Sequence, residues 1–175
     1  CAFGKWINKE NTLRKSVVIA RDGRISGQSI LPIVRSTLIS MGIDVIDIGL
    51  SSTPTTQIIV KKKIADGGII LTASHNPKQW NALKLLNAKG EFINEQDGSE
   101  VLSIAKHDAY TFAEVDNLGS YNQDYTYIKK HIQLILDLPL VNSELIRNSN
   151  FKVVVDAVNS TGGIAIPELL EALGV

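Results

Sequence analysis

The sequence predicts an α/β protein: a three-layer α/β/α domain around a mixed, mainly parallel sheet. Short apolar runs alternate along the chain with longer segments whose apolar residues recur every three or four positions. That alternation of strand and helix patterns is typical of layered α/β folds. One hairpin signal, at residues 87–90, predicts the antiparallel part of the sheet. The 175 residues, 44% hydrophobic and 21% charged, suffice for one domain and the beginning of another.

The first half of the chain predicts three strands separated by helices. Apolar spacing in residues 29–41 indicates a helix that stops at Gly42, a residue suited to the backbone conformation of a helix end. Thr53 is the expected N-cap of the next helix, with Pro54 at its first helical position. The expected elements of this half are the tail of a helix over 2–10, strands over 17–20, 43–48 and 67–71, and helices over 29–41 and 53–63.

The second half begins with a hairpin and continues with helices. Residues 83–86 and 91–93 flank an Asn-Ala-Lys-Gly turn, in which Gly90 supplies the positive φ that the turn requires. The remaining expected elements are a helix from its cap Asn94 to Lys106, a loop over 107–119, and an amphipathic helix over 121–136 that stops before Pro139.

A new strand–turn–helix unit begins near the end of the chain. Residues 151–156 (Phe-Lys-Val-Val-Val-Asp) predict a strand, and 164–173 carry the pattern of a helix. A single such unit cannot form a domain, because its strand has no partner and its helix has half a face to bury. We therefore expect a first domain over 1–140, a linker over 141–150, and the start of a second domain over 151–175. We also expect the chain to be an excerpt of a longer protein.

Composition excludes several classes of function. Eighteen basic residues balance eighteen acidic ones, so the chain has no electrostatic footprint for nucleic acid or an anionic membrane. Any anion must be bound by a local site. No apolar run reaches the roughly 18–20 residues of a membrane span. The single cysteine, Cys1, can form neither an internal disulfide nor a cysteine metal site, and it favours a cytoplasmic location.

Residues 72–84 contain the candidate catalytic side chains of the sequence. This segment follows an apolar strand, and ligands of open α/β sheets bind at the carboxyl ends of strands. It presents a hydroxyl, an imidazole and a carboxamide in succession at Ser74, His75 and Asn76, and Pro77 stiffens the backbone. Lys84 comes ten residues after Ser74 and is expected to lean back over the loop. A rigid loop with a serine beside a proton donor suits covalent catalysis.

The same residues are also compatible with a tight turn in which Ser74 and Asn76 bind backbone groups. His75 has no acidic neighbour in sequence that would complete a Ser-His-Asp triad. The G-x-S-x-G turn of the α/β hydrolases is absent as well. The residue pattern therefore leaves catalysis and simple turn formation open.

Residues 72–77 (Thr-Ala-Ser-His-Asn-Pro), followed by 81–84 (Asn-Ala-Leu-Lys), closely resemble the phosphoserine loop of the α-D-phosphohexomutases. This family includes phosphoglucomutases, phosphomannomutases and phosphoglucosamine mutases. Three further segments resemble the family in the right order, at 18–27, 48–55 and 153–163. The chain departs from the pattern at Ala82, where many members have glycine.

The resemblance implies a phosphohexomutase, with this chain as the phosphoserine-bearing first domain of a multi-domain enzyme. Ser74 would carry the phosphoryl group, and a hexose 1,6-bisphosphate would be the intermediate between hexose 1-phosphate and hexose 6-phosphate. An oxygen of the Ser74 phosphate would coordinate Mg²⁺, whose carboxylate ligands would lie outside this chain. Lys84 would act as general acid or base or stabilise charge, and His75 would support the phosphoserine or the loop.

Other charged residues have less specific roles at this point. Arg21 and Arg24 either reach a phosphate or are paired with Asp22 to brace the turn, and bracing is the favoured interpretation. His107 and His131 match no family position and are expected to be solvated.

The resemblance also implies that the remaining domains of the polypeptide select the sugar, so the fragment alone is expected to be inactive. Phosphoglucosamine mutase activity is an alternative within the family. Another phosphoryl- or acyl-transferring enzyme and a non-catalytic sugar-phosphate-binding domain are the alternatives outside it.

Overall fold

The computed structural model describes residues 1–9, 14–63 and 65–175, and its helices and strands alternate largely as the apolar pattern predicts. In chain order they are α1 (Ala2–Ile7), β1 (Ser16–Arg21), α2 (Gly27–Ser40), β2 (Asp44–Leu50), α3 (Thr53–Lys63), β3 (Gly67–Leu71), β4 (Leu83–Leu86), α4 (Glu95–Lys106), a 3₁₀ turn (Val115–Asn117), β5 (Tyr121–Gln123), α5 (Tyr127–Leu136), α6 (Ser143–Asn148) and α7 (Gly162–Leu173).

Five strands form one sheet in the order β4-β3-β1-β2-β5. The central strand β1 pairs in parallel with both β2 and β3, and β5 extends the parallel part beyond β2. Strand β4 lies at the other edge and pairs antiparallel with β3, with Lys84 opposite Ile70. The predicted mixed, mainly parallel sheet with the hairpin at its edge is confirmed.

Two apolar cores lie on opposite faces of the sheet, which gives the predicted three layers. In β1, Val17 and Ile19 face the core built with α1, α2 and α4, whereas Val18 and Ala20 face the core built with α3 and α5. Alternate side chains of a strand point to opposite faces, and a strand covered on both faces becomes a continuous apolar run. None of the described helices is long and apolar enough to cross a membrane.

Several predicted ends of the elements are confirmed. The helix tail predicted over 2–10 ends at Ile7 instead, and residue 10 lies outside the described residues. Asn94 caps α4 by accepting a hydrogen bond from the Asp97 N–H at 2.8 Å. Gly42 follows α2 with φ of +77°, as a helix stop requires. The predicted cap Thr53 is wrong, since Thr53 is already helical and the Ser52 hydroxyl accepts from the Thr55 N–H at 3.2 Å.

The amphipathic helix predicted over 121–136 starts six residues later, at Tyr127. Residues 121–123 instead form β5, an edge strand whose three residues are all exposed. The chain then turns at Asp124, whose carboxylate accepts hydrogen bonds from the Thr126 N–H and hydroxyl. The prediction failed because an exposed three-residue edge strand has no apolar pattern, and its pairing is made through the backbone.

The strand predicted over 151–156 does not form. Its residues have no regular secondary structure, and Val154 is 99% exposed. A strand requires backbone partners, and the described residues provide none at this position. The predicted linker, 141–150, contains the short helix α6, which Asn142 caps. The predicted helix that follows is confirmed as α7, which packs against α5 and α6, while the division into domains at 140 and 151 stays a prediction.

Candidate active site

The serine loop, residues 72–82, leaves the carboxyl end of β3 beside the loop that follows β1. All five residues of β3 are buried, whereas Ser74 and His75 are exposed. The loop closes on itself at its base, where the Thr72 N–H donates to the Ala82 carbonyl at 3.0 Å. The predicted placement of an exposed serine at the carboxyl edge of the sheet is confirmed.

The backbone of Ser74 is in the left-handed region, with φ of +51°. For a residue other than glycine this conformation costs on the order of 1–3 kcal/mol, and it persists only where its surroundings enforce it. Local contacts supply part of the constraint. The Ser74 N–H donates to the Thr72 hydroxyl at 3.3 Å, and the Asn76 N–H donates to the Ala73 carbonyl at 3.0 Å.

The guanidinium of Arg24 holds the loop through four backbone carbonyls. Nη1 donates to the carbonyl oxygens of Pro77 and Trp80, each at 2.9 Å. Nη2 donates to those of Ser74 and Asn76, each at 2.8 Å. Hydrogen bonds from a charged donor are stronger than neutral ones. Arg24 therefore fixes the loop around the serine from its inner side.

Asp22 in turn orients Arg24. One carboxylate oxygen accepts from Arg24 Nε at 3.1 Å, and the other accepts from the Arg24 backbone N–H at 3.0 Å. The two side chains are only 13% and 18% exposed, so solvent screens the pair less than a surface ion pair. Of the two roles open for Arg24, the structure shows bracing. Arg21 donates to the backbone carbonyl of Asp22 at 3.2 Å.

A second set of hydrogen bonds, here called the Asn81–Ser26 latch, joins the far end of the serine loop to the start of α2. The Asn81 side chain donates to the Ser26 hydroxyl at 2.9 Å and accepts from the Ala82 N–H, also at 2.9 Å. Sequence reasoning assigned no role to either side chain of this latch. Only the family resemblance pointed to these two residues. Asn81 lies in the resembling segment 81–84, and Ser26 lies in the resembling segment 18–27.

His75 lies beside the serine, but its contact with the hydroxyl is weak. Nδ1 is 3.5 Å from Ser74 Oγ, at the long limit of a hydrogen bond. The imidazole is exposed, and no carboxylate of the described residues binds it. A general-base dyad is therefore not formed in this arrangement.

Lys84 occupies β4 as expected, but its side chain does not lean over the serine loop. Its ammonium lies 5.4 Å from the centre of the Phe92 ring, and Phe92 bridges to Leu86, two residues further along β4. The ammonium therefore turns toward the return arm of the hairpin. It forms no hydrogen bond or ion pair with the described residues, so the long side chain is free to adopt another rotamer.

His131 is half-buried rather than solvated, which corrects the expectation for this residue. Its Nδ1 lies 2.9 Å from the Thr55 hydroxyl, and burial lowers the pKa of the imidazole. The residue connects α5 to α3, on the sheet face that is opposite to α2. His107 is exposed, as expected, and its Nδ1 lies 2.8 Å from the Ser103 carbonyl at the end of α4.

A cavity of about 450 Å³ opens at the carboxyl ends of β1 and β2. Arg21 and Arg35 both line it, and the Arg35 guanidinium stacks 4.6 Å from the centre of the Tyr121 ring. Buried Asp47 accepts from the Tyr121 hydroxyl at 2.9 Å and from the Gly49 N–H at 2.8 Å. Sequence reasoning missed this cavity because its walls come from separate strands and helices.

Within residues 1–9, 14–63 and 65–175, no three or more His, Cys, Asp or Glu side chains are grouped so that they could hold a metal ion. The serine loop remains the candidate reactive feature of this edge of the sheet. Its components are an exposed hydroxyl, a strained backbone and a cation that is directed at carbonyls rather than at solvent.

The fold and this loop agree with comparisons to known proteins. Residues 1–111 match the family model described as phosphoglucomutase/phosphomannomutase, alpha/beta/alpha domain I. That match covers most of the predicted first domain and includes the whole serine loop. The chain belongs to the phosphoglucomutase/phosphomannomutase family.

Two relatives illustrate the range of names within the family. A phosphoglucomutase/phosphomannomutase of Thermococcus kodakarensis is 35% identical over 99% of this chain and 37% of its own length. A phosphoglucosamine mutase of Methanococcus maripaludis is 34% identical over 91% of this chain and 34% of its own length. The chain therefore spans about a third of the length of the curated relatives it matches.

Solved structures show the same fold. A phosphoglucomutase/phosphomannomutase family protein of Burkholderia thailandensis superimposes with a TM-score of 0.73 at 23% identity, over 99% of this chain and 36% of that one. The open form of parafusin, a phosphoglucomutase from Paramecium, gives a TM-score of 0.74 at 19% identity, over 99% of this chain and 38% of that one. Both neighbours are thus much longer polypeptides.

Proposed function

We propose that the full-length protein interconverts hexose 1-phosphates and hexose 6-phosphates through a phosphoserine at Ser74 and a hexose 1,6-bisphosphate intermediate. The observation that carries this proposal is the exposed Ser74 hydroxyl on a braced loop, in a domain of the phosphohexomutase family. Phosphoryl transfer depends mainly on positioning and on charge stabilisation. A loop that holds its serine in one conformation supplies the first of these.

The proposed cycle moves one phosphoryl group in each direction. Phosphorylated Ser74 transfers its phosphoryl group to the free hydroxyl of a hexose monophosphate, so its Oγ–P bond breaks as a new sugar O–P bond forms. The sugar hydroxyl loses its proton to a base. The bisphosphate then turns over and returns its other phosphoryl group to the Ser74 oxygen, which releases the isomeric monophosphate and restores the phosphoserine.

Lys84 and His75 are the residues proposed to assist phosphoryl transfer at Ser74. Lys84 would exchange the hydroxyl proton or stabilise the transferring phosphoryl group once its ammonium leaves Phe92. His75 would donate to phosphate oxygens on Ser74, since its Nδ1 already lies 3.5 Å from Oγ. A phosphoserine carries a charge of about −1.5 to −2 at neutral pH, which would attract the Lys84 ammonium toward the loop.

In this proposal the full-length protein requires magnesium, but the described residues supply no carboxylate site for the ion. Mg²⁺ prefers oxygen ligands in octahedral geometry, and no suitable carboxylate group is found among residues 1–9, 14–63 and 65–175. The described residues therefore do not form a magnesium site by themselves. A phosphate oxygen on Ser74 would be their contribution, with carboxylates from elsewhere in the polypeptide.

The choice of sugar also belongs to the rest of the protein. The relatives of similar identity include both phosphoglucomutase/phosphomannomutases and phosphoglucosamine mutases, so phosphoglucosamine mutase activity is the second candidate. The isolated chain is expected to be inactive, because it spans about a third of those relatives. A cytoplasmic location remains part of the proposal.

The proposal is tested by assaying the full-length protein on glucose, mannose and glucosamine 1-phosphates, each with a trace of the matching bisphosphate. We expect turnover of at least one sugar, abolished in Ser74→Ala and retained in the control Ser99→Ala, since Ser99 is exposed on α4. Binding of sugar phosphates without turnover would favour the non-catalytic alternative. Turnover that survives in Ser74→Ala would contradict the proposed carrier.

A further inference from the structure

We propose that Arg24 is a positioning residue for the Ser74 nucleophile and acts through the loop backbone without contacting phosphate. This inference rests on the proposed function. A guanidinium has five N–H donors, and all five of Arg24 are engaged: one with Asp22 and four with carbonyls of the serine loop. No donor is left for a phosphate unless the loop is released.

The four carbonyls could not converge without this cation. The oxygens of Ser74, Asn76, Pro77 and Trp80 all lie within 2.9 Å of one guanidinium. Their negative ends would repel one another if the positive charge were absent. The arginine therefore defines the inner surface of the loop, and the path of the backbone over residues 74–80 follows from it.

The conformation of Ser74 depends on the same contacts. Its φ of +51° lies in a region that serine rarely adopts, and Arg24 binds its carbonyl at 2.8 Å. Without that bond the residue is free to relax toward ordinary φ values, which would redirect the hydroxyl. The fraction of molecules with the hydroxyl in place would then fall, and the rate of phosphoryl transfer would fall with it.

Lysine cannot replace Arg24 in this role. An ammonium has three donors around a point charge, whereas the planar guanidinium divides its donors between two pairs of carbonyls and a carboxylate. We expect Arg24→Lys to slow phosphorylation of Ser74 by roughly tenfold to a hundredfold, the range set by the cost of the strained backbone. The KM for the bisphosphate should change less than about threefold, because Arg24 has no donor for the sugar phosphate.

Arg14 provides a matched control. Its guanidinium also binds a carboxylate and a backbone carbonyl, those of Asp44 and Leu118, at 2.8 and 2.7 Å. These contacts lie beyond the amino end of β1, whereas the serine loop lies beyond the carboxyl ends of the parallel strands. Arg14→Lys thus disturbs the same two types of hydrogen bond, to a carboxylate and to a backbone carbonyl, without touching residues 72–82. Any effect confined to Arg24 variants is then an effect on the loop.

The experiment uses full-length wild type, Arg24→Lys, Arg24→Ala and Arg14→Lys. The dephosphorylated proteins are mixed with glucose 1,6-bisphosphate, and the rate of Ser74 phosphorylation is followed by quenched-flow and peptide mass spectrometry. Hydrogen exchange of residues 73–82 is measured in parallel. Arg24→Ala is also assayed with guanidinium chloride at low millimolar concentration, far below denaturing levels, to replace the missing group.

The inference predicts slower phosphorylation and faster loop exchange in both Arg24 variants, with guanidinium restoring part of the rate to Arg24→Ala. Wild-type rates and loop exchange in Arg24→Lys would overturn it. Asp22→Asn keeps the arginine and should show a smaller effect in the same direction, so it decides the matter if the Arg24 variants fail to fold. If wild type takes up no phosphate at Ser74, the proposed function has failed, and loop exchange in Arg24→Lys still decides whether Arg24 organises the loop.

Discussion

Replacing Lys84 by methionine should separate catalysis from folding. The substitution removes the ammonium but keeps the length and the apolar stem of a side chain that is half-buried in β4. If Lys84 handles the hydroxyl proton in phosphoryl transfer, most of the mutase activity should be lost. If it is only a lysine at the edge of the sheet, activity should be nearly unchanged.

The structural cost of the substitution is small. The contact at stake is the one between the ammonium and the Phe92 ring, 5.4 Å from the ring centre, and such contacts contribute about 0.5–1 kcal/mol at exposed sites. Methionine keeps the packing of the stem. The free energy of unfolding should therefore fall by no more than about 1 kcal/mol, equivalent to a Tm shift of roughly 2–4 °C for a domain of this size.

The expected catalytic cost is much larger. General acid–base catalysis contributes roughly 10²–10⁴-fold to a rate, so kcat of the full-length enzyme should fall by a factor in that range. Phosphorylation of Ser74 should still be detectable in the variant. Steady-state mutase assays, thermal unfolding and peptide mass spectrometry measure the three quantities on the same preparation.

Lys89→Met is the matched control, because Lys89 is exposed at the tip of the same hairpin. It should leave both activity and Tm unchanged. Activity of Lys84→Met within a few-fold of wild type would refute the assigned role, and the acid or base would then have to come from another domain. A large loss of stability would show instead that Lys84 is structural.

Perturbations at three further positions test the fold. Gly90→Ala should destabilise the full-length protein by more than about 1 kcal/mol in urea titrations, because φ is +76° and the new methyl would lie 2.2 Å from the Gln57 carbonyl oxygen. Gly98→Ala should instead stabilise it by about 0.5–1 kcal/mol, since that position is helical and nothing lies within 4 Å of the added methyl. Burial lowers the pKa of His131, so the unfolded chain binds the proton more tightly and the free energy of unfolding should decrease as pH falls below about 6.5. His131→Asn should flatten that slope, and an unchanged slope would show that His131 is not its source.

Most of the fold could be predicted because its central strands are covered on both faces. The continuous apolar runs of β1 and β3 follow from that burial. Strand β5 could not be predicted, since its three exposed residues are held by backbone pairing with β2. The opposite error occurred at residues 151–156, which have the composition of a strand but no partner among the described residues. Composition indicates which secondary structure a segment favours, whereas strand formation also requires a neighbouring strand to pair with.

The candidate site also has some features that could be predicted from the sequence and others that could not. Ser74 could be located from the sequence, because the motif follows a buried strand and the carboxyl edge of the sheet determines where it emerges. The pair of Asp22 and Arg24 could be anticipated because the residues are two positions apart. The four carbonyl contacts of Arg24 could not, since they span 50 to 56 positions of the chain. The orientation of Lys84 toward Phe92 likewise depends on the hairpin geometry.

The most direct test of the account is the intact mass of the full-length protein after incubation with glucose 1,6-bisphosphate, followed by mapping of the modified peptide. We expect one added phosphate, located on Ser74 and absent from Ser74→Ala. A protein that gains no phosphate, or that carries it on Thr72 or Ser26, would contradict the claim that Ser74 is the phosphoryl carrier.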